Sequence, residues 1–335
     1  MAFVDAMLRR LLRRRMRSAG LVGGPLLLGL LLPWSSALSD GERSPVDLLG
    51  QMSRALSELE YEGTLVYLNG HELSTLRIAH RISGGQAHES LLALSGPVRA
   101  VARSRQTVTC VLPDARAISV PRHLGSAATL HSGSLDAERL RPYYLIHGLG
   151  RSRVAGRDTH VIGIIPRDNL RYGYRFYVDE QTGLPLKTDL MDSSATPIEQ
   201  VMFTEIEFLN GDSTEAADTT PTLASKPPAS SLSSAPVDAA PWWFSELPLG
   251  FEVVAGDASA AASAAIQRRW FMVSDGLSTV SVYIEPDQGH GLAGHKRVGA
   301  INAAGRSLNG FQITAVGEAP LPTVKAIAAA VEGQP

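Results

Sequence analysis

Between Asn210 and Pro241 the chain reads NGDSTEAADTTPTLASKPPASSLSSAPVDAAP, nearly devoid of large apolar side chains. Such a stretch cannot bury enough surface to offset its ordering entropy, so it predicts a linker, semi-extended where prolines cluster. Set well past the middle of a 335-residue chain, it divides a larger domain from a smaller one. The expected domains are therefore 38–209 and 242–335, joined by 210–241, with 1–37 set apart as an export segment. No internal repeats are visible within either.

The formal net charge of −2 averages two unlike pieces. Residues 1–37 hold Arg9, Arg10, Arg13, Arg14, Arg15 and Arg17 against one acid, Asp5. Taking 6 from 31 and 1 from 33 leaves 25 basic and 32 acidic residues, a net of −7. The arginines precede an apolar run, Leu21 to Leu32, interrupted only by glycines and Pro25. Trp34-Ser35-Ser36-Ala37 then supplies small residues for cleavage after Ala37, the pattern of a secretory signal. The run is shorter than the roughly 20 apolar residues that cross a bilayer, though an uncleaved anchor is the alternative. No cysteine follows it, which disfavours a lipoprotein, and its hydrophobicity favours general export over the twin-arginine route. The mature chain is expected in a Gram-negative periplasm. Its acidic body, without a basic aromatic stripe, argues against nucleic acid and against electrostatic attachment to anionic membrane. Cys110 is alone, so no internal disulfide forms; alternation places it with Val108 and Leu112 as a small buried hydrophobe.

The first domain opens on a helix. Ser44 caps it, Pro45 suits the first position, and Leu49, Met52, Leu56 and Leu59 form one face. Thr64 to Leu68 reads as a strand ending in the hairpin signal Asn69-Gly70, and the return strand aligns Leu76, Ile78, His80 and Ile82. His80 there reads as a hydrogen-bonded core histidine rather than a ligand. Further strands are expected near 98–103, 107–112, 116–120, 158–165, 170–178, 184–191 and 199–208, an antiparallel meander with short turns. One helix against a large curved sheet is the simplest architecture, and such a sheet curls toward a partly open barrel with an apolar cavity. In Leu170–Val178, alternation puts Tyr172, Tyr174, Phe176 and Val178 on one face and Arg171, Arg175 and Tyr177 on the other. The aromatic face either fills a core or lines a lipid pocket, and both readings stay open.

The second domain starts with Trp242, Trp243 and Phe244, as core anchors or as a partner-binding patch. Strands follow near 269–273, 278–285 and 310–316, and a closing helix carries Val324, Ile327, Ala328 and Val331. The fold class is α+β, mostly antiparallel β.

Chemistry is sparse. There is no G-x-S-x-G elbow and no phosphate loop, and Gly148-x-Gly150 lacks its third glycine. His71-Glu72 and His88-Glu89 begin like zinc-binding helices, but Thr75 and Leu92 occupy the second ligand position. His290 and His295 lie in a Gly-rich loop, where exposed histidines are the simpler account than a metal pair. No catalytic residue, cofactor or metal is expected.

Several ordered stretches carry a resemblance. Tyr61-Glu62-Gly63-Thr64-Leu65-Val66-Tyr67, Arg153-Val154-Ala155-Gly156-Arg157, Pro166-Arg167-Asp168 with Arg171-Tyr172-Gly173-Tyr174, and Asp179 to Lys187 come first. Leu247-Pro248-Leu249-Gly250-Phe251, Asp275-Gly276-Leu277, Val282-Tyr283-Ile284-Glu285-Pro286 and Val316-Gly317-Glu318-Ala319-Pro320 follow. Together they resemble the RseB/MucB family of periplasmic sigma-E regulatory proteins, and they span nearly the whole mature chain. The long Pro/Ser-rich linker departs from that pattern. The resemblance implies a non-enzymatic protein whose N-terminal domain is a LolA/LolB-like unclosed β-barrel with helices, followed by a smaller α+β domain. It implies a partner, the periplasmic part of an anti-sigma factor of RseA/MucA type, shielded from site-1 proteolysis. It also implies release by a lipid or lipopolysaccharide component. In physical terms two ligands that favour different states compete, and a swivel at the 210–241 linker is the switch expected. Homo-oligomerisation is left open.

Two other readings stand beside this regulator: a lipid or lipoprotein carrier of LolA/LolB type, and an envelope hydrolase for which only scattered histidines speak. Tyr67, Tyr172, Tyr174 and Phe176 are the lipid-pocket candidates, and Trp242, Trp243 and Tyr283 the partner-surface candidates.

Overall fold

The computed structural model describes residues 43–95, 100–103, 107–111, 117–121, 135–209, 242–256 and 269–333. The expected export segment and the linker 210–241, with its proposed swivel, lie outside the described residues, as does the side chain of Cys110.

Helix α1 (Pro45–Glu58) forms where its caps predict. Ser44 Oγ accepts the Asp47 N–H at 3.1 Å, and Pro45 occupies a position whose N–H would have no helical partner. Leu48, Leu49, Met52, Ala55 and Leu56 are buried; Leu59 is the C-cap, where extended backbone leads into the sheet.

Six strands follow as successive hairpins: β1 (Tyr61–Asn69), β2 (Glu72–Ser83), β3 (Gln86–Ala93), β4 (Ala100–Arg103), β5 (Thr107–Val111) and β6 (Ala117–Pro121). After the short α2 (Ala137–Leu140) come β7 (Tyr144–Val154), β8 (Arg157–Pro166), β9 (Gly173–Asp179), β10 (Pro185–Met191) and β11 (Pro197–Phe208). Strand β11 returns to pair with β1, giving one antiparallel sheet of 11 strands in the order β6-β5-β4-β3-β2-β1-β11-β10-β9-β8-β7. Its terminal strands β6 and β7 are not paired with each other, so the sheet is unclosed. Rows of inward side chains, Ile164–Tyr174–Leu190 and Ile162–Phe176, cross the strands and meet the α1 stripe in one core.

Several quoted motifs are turn chemistry. Ala155 (φ 48°) and Gly156 (φ 75°) make a two-residue hairpin loop between Val154 and Arg157, with Arg153 donating to the Gly156 carbonyl at 2.7 Å. Asp179 is buried; its carboxylate accepts Arg157 Nε at 2.8 Å and Nη2 at 2.9 Å, and Thr182 N–H and Oγ1. Burial alone would raise this carboxyl, but the Arg157 and Thr182 bonds outweigh it and hold it below the usual carboxylate range. At Gly63, in Tyr-x-Gly-Thr, a Cβ would collide with the Glu205 carbonyl of β11, so only glycine admits the bulged β1–β11 pairing there.

One strand starts later than alternation suggests. Leu170 to Tyr172 form a bend rather than the start of β9, because the Asp168 carboxylate accepts the Leu170 N–H at 3.0 Å. Arg171 therefore does not share an outward face with Arg175 and Tyr177; it is fully buried. Strands β3 and β7 were not expected: β7 is an edge strand carrying Gly148 and Gly150, and most of its side chains are exposed, so no alternating pattern marks it.

The smaller lobe has β12 (Trp242–Phe244), β13 (Glu252–Gly256), β14 (Arg269–Ser274), β15 (Thr279–Pro286), β16 (Gly294–Val298), β17 (Ile301–Leu308), β18 (Phe311–Gly317), α3 (Leu321–Ala330) and β19 (Val331–Gly333). Six of them form an antiparallel sheet in the order β13-β14-β15-β18-β17-β16, and β12 pairs with β19. Helix α3 covers β17 and β18, burying Val324, Ile327 and Ala328 against Val282, Ile313 and Ala315. Val331, expected on the helix stripe, is equally buried but opens β19. Among the described residues, no helix is long and apolar enough to cross a membrane.

Candidate functional site at the seam between the lobes

The second half of the sequence packs against the first along a polar seam. At one end stands Arg171, 0 % exposed. Its Nε donates to Asp275 Oδ2 at 2.7 Å, its Nη1 to Asp168 and its Nη2 to the Leu249 carbonyl. The guanidinium lies over the Tyr143 ring at 4.6 Å and the Phe251 ring at 5.0 Å. Tyr144 donates to the same Asp275 Oδ2 at 2.8 Å, and Asp275 Oδ1 takes the Leu277 and Ser278 N–H groups. Burial, then the Asp275 charge, push the Tyr144 phenol far above its ordinary value, so it stays a donor. Gly250 (φ 84°) stands against the Tyr143 ring, which leaves no room for a side chain there.

The middle of the seam is built by β9 and the strand and turn that meet it. Tyr174 Oη donates to Glu318 Oε1 at 2.7 Å, and Asn302 Nδ2 donates to Tyr172 Oη at 3.1 Å and to the Ala319 carbonyl at 2.8 Å. Thr323 Oγ1 donates to the Leu170 carbonyl at 2.5 Å. At the far end Glu199 on β11 accepts Tyr67 Oη at 2.9 Å and, across the seam, the Ala300 N–H at 3.0 Å. At the rim the exposed Arg139 pairs with Glu252.

Two buried carboxylates, Glu199 and Glu318, thus meet phenols and amides but no cation among the described residues. Burial first, then the charge of Glu199, push the Glu318 carboxyl up to about 7, and the Tyr174 bond opposes this only in part. Burial and Glu199 likewise raise the Tyr67 phenol well above its ordinary range.

The sequence-derived candidates fall into two groups. Tyr172, Tyr174 and Phe176 belong to the large core, and Tyr174 stacks on Phe176 with centroids 5.7 Å apart. Tyr172 and Tyr174 turn their phenols to the other lobe, and half-buried Tyr67 reaches it through Glu199. Trp242 is buried against Phe311, edge to face at 5.1 Å, whereas Trp243 is 48 % and Tyr283 37 % exposed. The structure brings Tyr67, Tyr172 and Tyr174 to one seam; Trp243 and Tyr283 lie on separate strands. Sequence reading missed Arg171, Asp275, Tyr144, Glu199, Asn302 and Glu318 as site residues. The signal available was that Arg171, Leu249, Asp275 and Glu318 each sit inside a quoted motif, and the fold gathers those motifs at one interface.

Comparison with known proteins finds relatives that cover most of the chain. The MucB/RseB N-terminal domain model matches residues 44–225, and the MucB/RseB C-terminal domain model matches residues 236–332. Sigma factor AlgU regulatory protein MucB of Pseudomonas aeruginosa is 30 % identical over 295 residues, covering 85 % of this chain and 90 % of that protein. Sigma-E factor regulatory protein RseB of Escherichia coli K12 is 28 % identical over 284 residues, covering 84 % and 88 %. Among solved structures, the Pseudomonas aeruginosa MucA/MucB complex aligns with a TM-score of 0.62 at 26 % identity, covering 87 % of this chain and 99 % of that one. A crystal structure of MucB in complex with MucA(peri) aligns with a TM-score of 0.61 at 26 % identity, covering 86 % of this chain and 98 % of that one. With both domain models matched in order over most of its length, the chain belongs to the MucB/RseB family of sigma factor regulatory proteins.

Proposed function

We propose that this chain is a periplasmic, non-enzymatic regulator of an envelope-stress sigma factor. It binds the periplasmic part of an anti-sigma factor, shields that segment from site-1 proteolysis, and releases it when a lipid or lipopolysaccharide component binds. The observation that carries this reading is the seam: the family motifs of both halves supply its bonds, so a ligand that prefers another lobe arrangement reads out at the partner. Two ligands that favour different arrangements oppose each other by linkage, whether or not they touch the same atoms. The relatives solved with MucA or MucA(peri) support an anti-sigma segment as the partner. The domains are taken as 38–209 and 242–335, and residues 1–37 as the export signal that places the chain in the periplasm.

Exposed Trp243 and Tyr283 are the proposed partner contacts, with Trp242 holding β12 in place through the small core. Tyr67, Tyr172, Tyr174 and Phe176 are proposed as the lipid-responsive group, acting through the inner face of the sheet that they share with the seam.

The test uses the mature chain and a purified periplasmic fragment of an anti-sigma factor of RseA/MucA type from the same organism. Titration calorimetry should show binding, and the fragment should be cut more slowly by the site-1 protease when bound. Added lipopolysaccharide should restore cleavage. No binding at concentrations on the order of tens of micromolar, and unchanged cleavage, would refute the reading.

A further inference from the structure

We propose that docking of the two lobes is proton-linked at Glu318: with its carboxyl neutral the lobes hold the arrangement described, and with it ionised that arrangement weakens. The proton linkage stands on the seam itself; its regulatory meaning rests on the proposed function.

Glu318 follows β18 on the small lobe and is 8 % exposed. The groups that face it come from several elements. Strand β9 and the bend before it present Tyr174 and Tyr172, β11 presents Glu199, and β1 presents Tyr67, all on the large lobe. On its own lobe β17 supplies Asn302, whose amide is spent on Tyr172 and the Ala319 carbonyl. Helix α3 supplies Thr323, bonded to Leu170, while Lys325 points to solvent. Arg297 at the end of β16 acts on Tyr172 and donates to the Gly299 carbonyl at 2.8 Å. Beyond Tyr174 lies Asp275, already met by Arg171. No cation among the described residues pairs with Glu318, and the charge that bears on it is another carboxylate, Glu199.

The sign follows from where those neighbours belong. Glu199, Tyr67 and Tyr174 are on the opposite lobe, so separation rehydrates Glu318 and removes the Glu199 field. The docked carboxyl titrates at about 7 against an ordinary value of 4.5. The docked state therefore binds more protons near neutrality. Its stabilisation is complete below the ordinary carboxyl value and is lost as pH rises through the docked one. Mild acid clamps the lobes and mild alkali loosens them. Under the proposed function, a seam of this kind couples the regulator to the pH of its surroundings.

The test is hydrogen–deuterium exchange on the whole mature chain, with rates corrected for the intrinsic pH dependence of amide exchange. The Ala300 N–H is the natural probe, because it is bonded across the seam to Glu199. Opening at this amide should rise on the order of tenfold between about pH 5.5 and about pH 8. In Glu318→Gln, which keeps an acceptor for Tyr174, the response should be flat and protection high throughout. In Glu199→Gln the midpoint should move to lower pH, an effect read on neighbouring seam amides since Ala300 loses its partner's charge. A flat wild-type response, or an unchanged response in Glu318→Gln, would overturn the proposal. No anti-sigma fragment enters this measurement, so a failure of partner binding and a failure of proton linkage remain distinguishable.

Discussion

At the Arg171 end of the seam one guanidinium sits between Asp168 and Asp275, whereas at the Glu318 end two carboxylates meet phenols and amides with no cation among the described residues. Both ends are buried and both join the lobes. A buried charge is tolerated when it is paired and hydrogen-bonded; unpaired, it is neutralised or destabilises. The difference teaches that one seam can hold a fixed latch and a titratable one side by side. The Arg171 cluster sets which surfaces meet, and Glu318 sets how tightly they meet at a given pH.

The sharpest way to break this comparison is to remove the fixed latch. Arg171→Met would leave Asp275 buried, and the partly exposed Asp168 beside it, without their cation, and removal of one partner from a buried pair costs about 3–5 kcal/mol. Urea unfolding at neutral pH should show that loss, and the small lobe should become the first region cut by a non-specific protease. A loss below about 1 kcal/mol would mean that the cluster is solvated and does not hold the lobes. The second effect in size belongs to Glu318→Gln. At about pH 8 the variant should be more stable than wild type by about 1–3 kcal/mol, and the gain should shrink as pH falls toward the ordinary carboxyl value of 4.5. Stability curves for the two proteins across that range measure it. A variant less stable than wild type at alkaline pH would show the ionised carboxylate to be the better partner for Tyr174.

Much of the frame was legible because local chemistry dictates it. The Ser44 cap, Pro45 and the leucine stripe place α1, and Asn69-Gly70 places the first hairpin, with Gly70 at φ 60°. The alternation in Gly173–Asp179 put Tyr174, Phe176 and Val178 on one face, and that face is the buried one. What stayed hidden depends on contacts distant in sequence. Arg171 and Asp275 are 104 residues apart, and Tyr174 and Glu318 are 144 apart. No periodicity links such pairs. Arg171 was misplaced because alternation was carried through a bend that Asp168 imposes. Strand β17 was missed although Asn309 (φ 51°) and Gly310 (φ 79°) repeat the hairpin signal. Its residues, INAAGRSL, are too small and polar to show a strand pattern.

A smaller effect separates the members of the fixed latch. Tyr144→Phe removes one of the bonds to Asp275 but leaves Arg171 Nε and the Leu277 and Ser278 N–H groups in place. A net loss of about 1 kcal/mol is expected, since the carboxylate stays solvated by the remaining donors. A double-mutant cycle of Tyr144→Phe with Arg171→Met checks whether the two act as one unit, and strict additivity would show that they do not.

The smallest effect should come from the ion pair at the rim. Arg139 and Glu252 also bridge the two lobes, but their side chains are 41 % and 63 % exposed. Water and salt screen such a pair, and ordering two long side chains offsets most of its attraction, so it contributes about 0–1 kcal/mol. Glu252→Gln should therefore leave the urea midpoint almost unchanged, and whatever difference it makes should disappear in about 0.5 M salt. The buried Arg171–Asp275 contact, shielded from ions, should keep its contribution in the same salt. If instead the rim pair proved as costly to remove as Arg171, lobe docking would be a surface electrostatic effect. The contrast between the two buried ends would then carry little of the regulation.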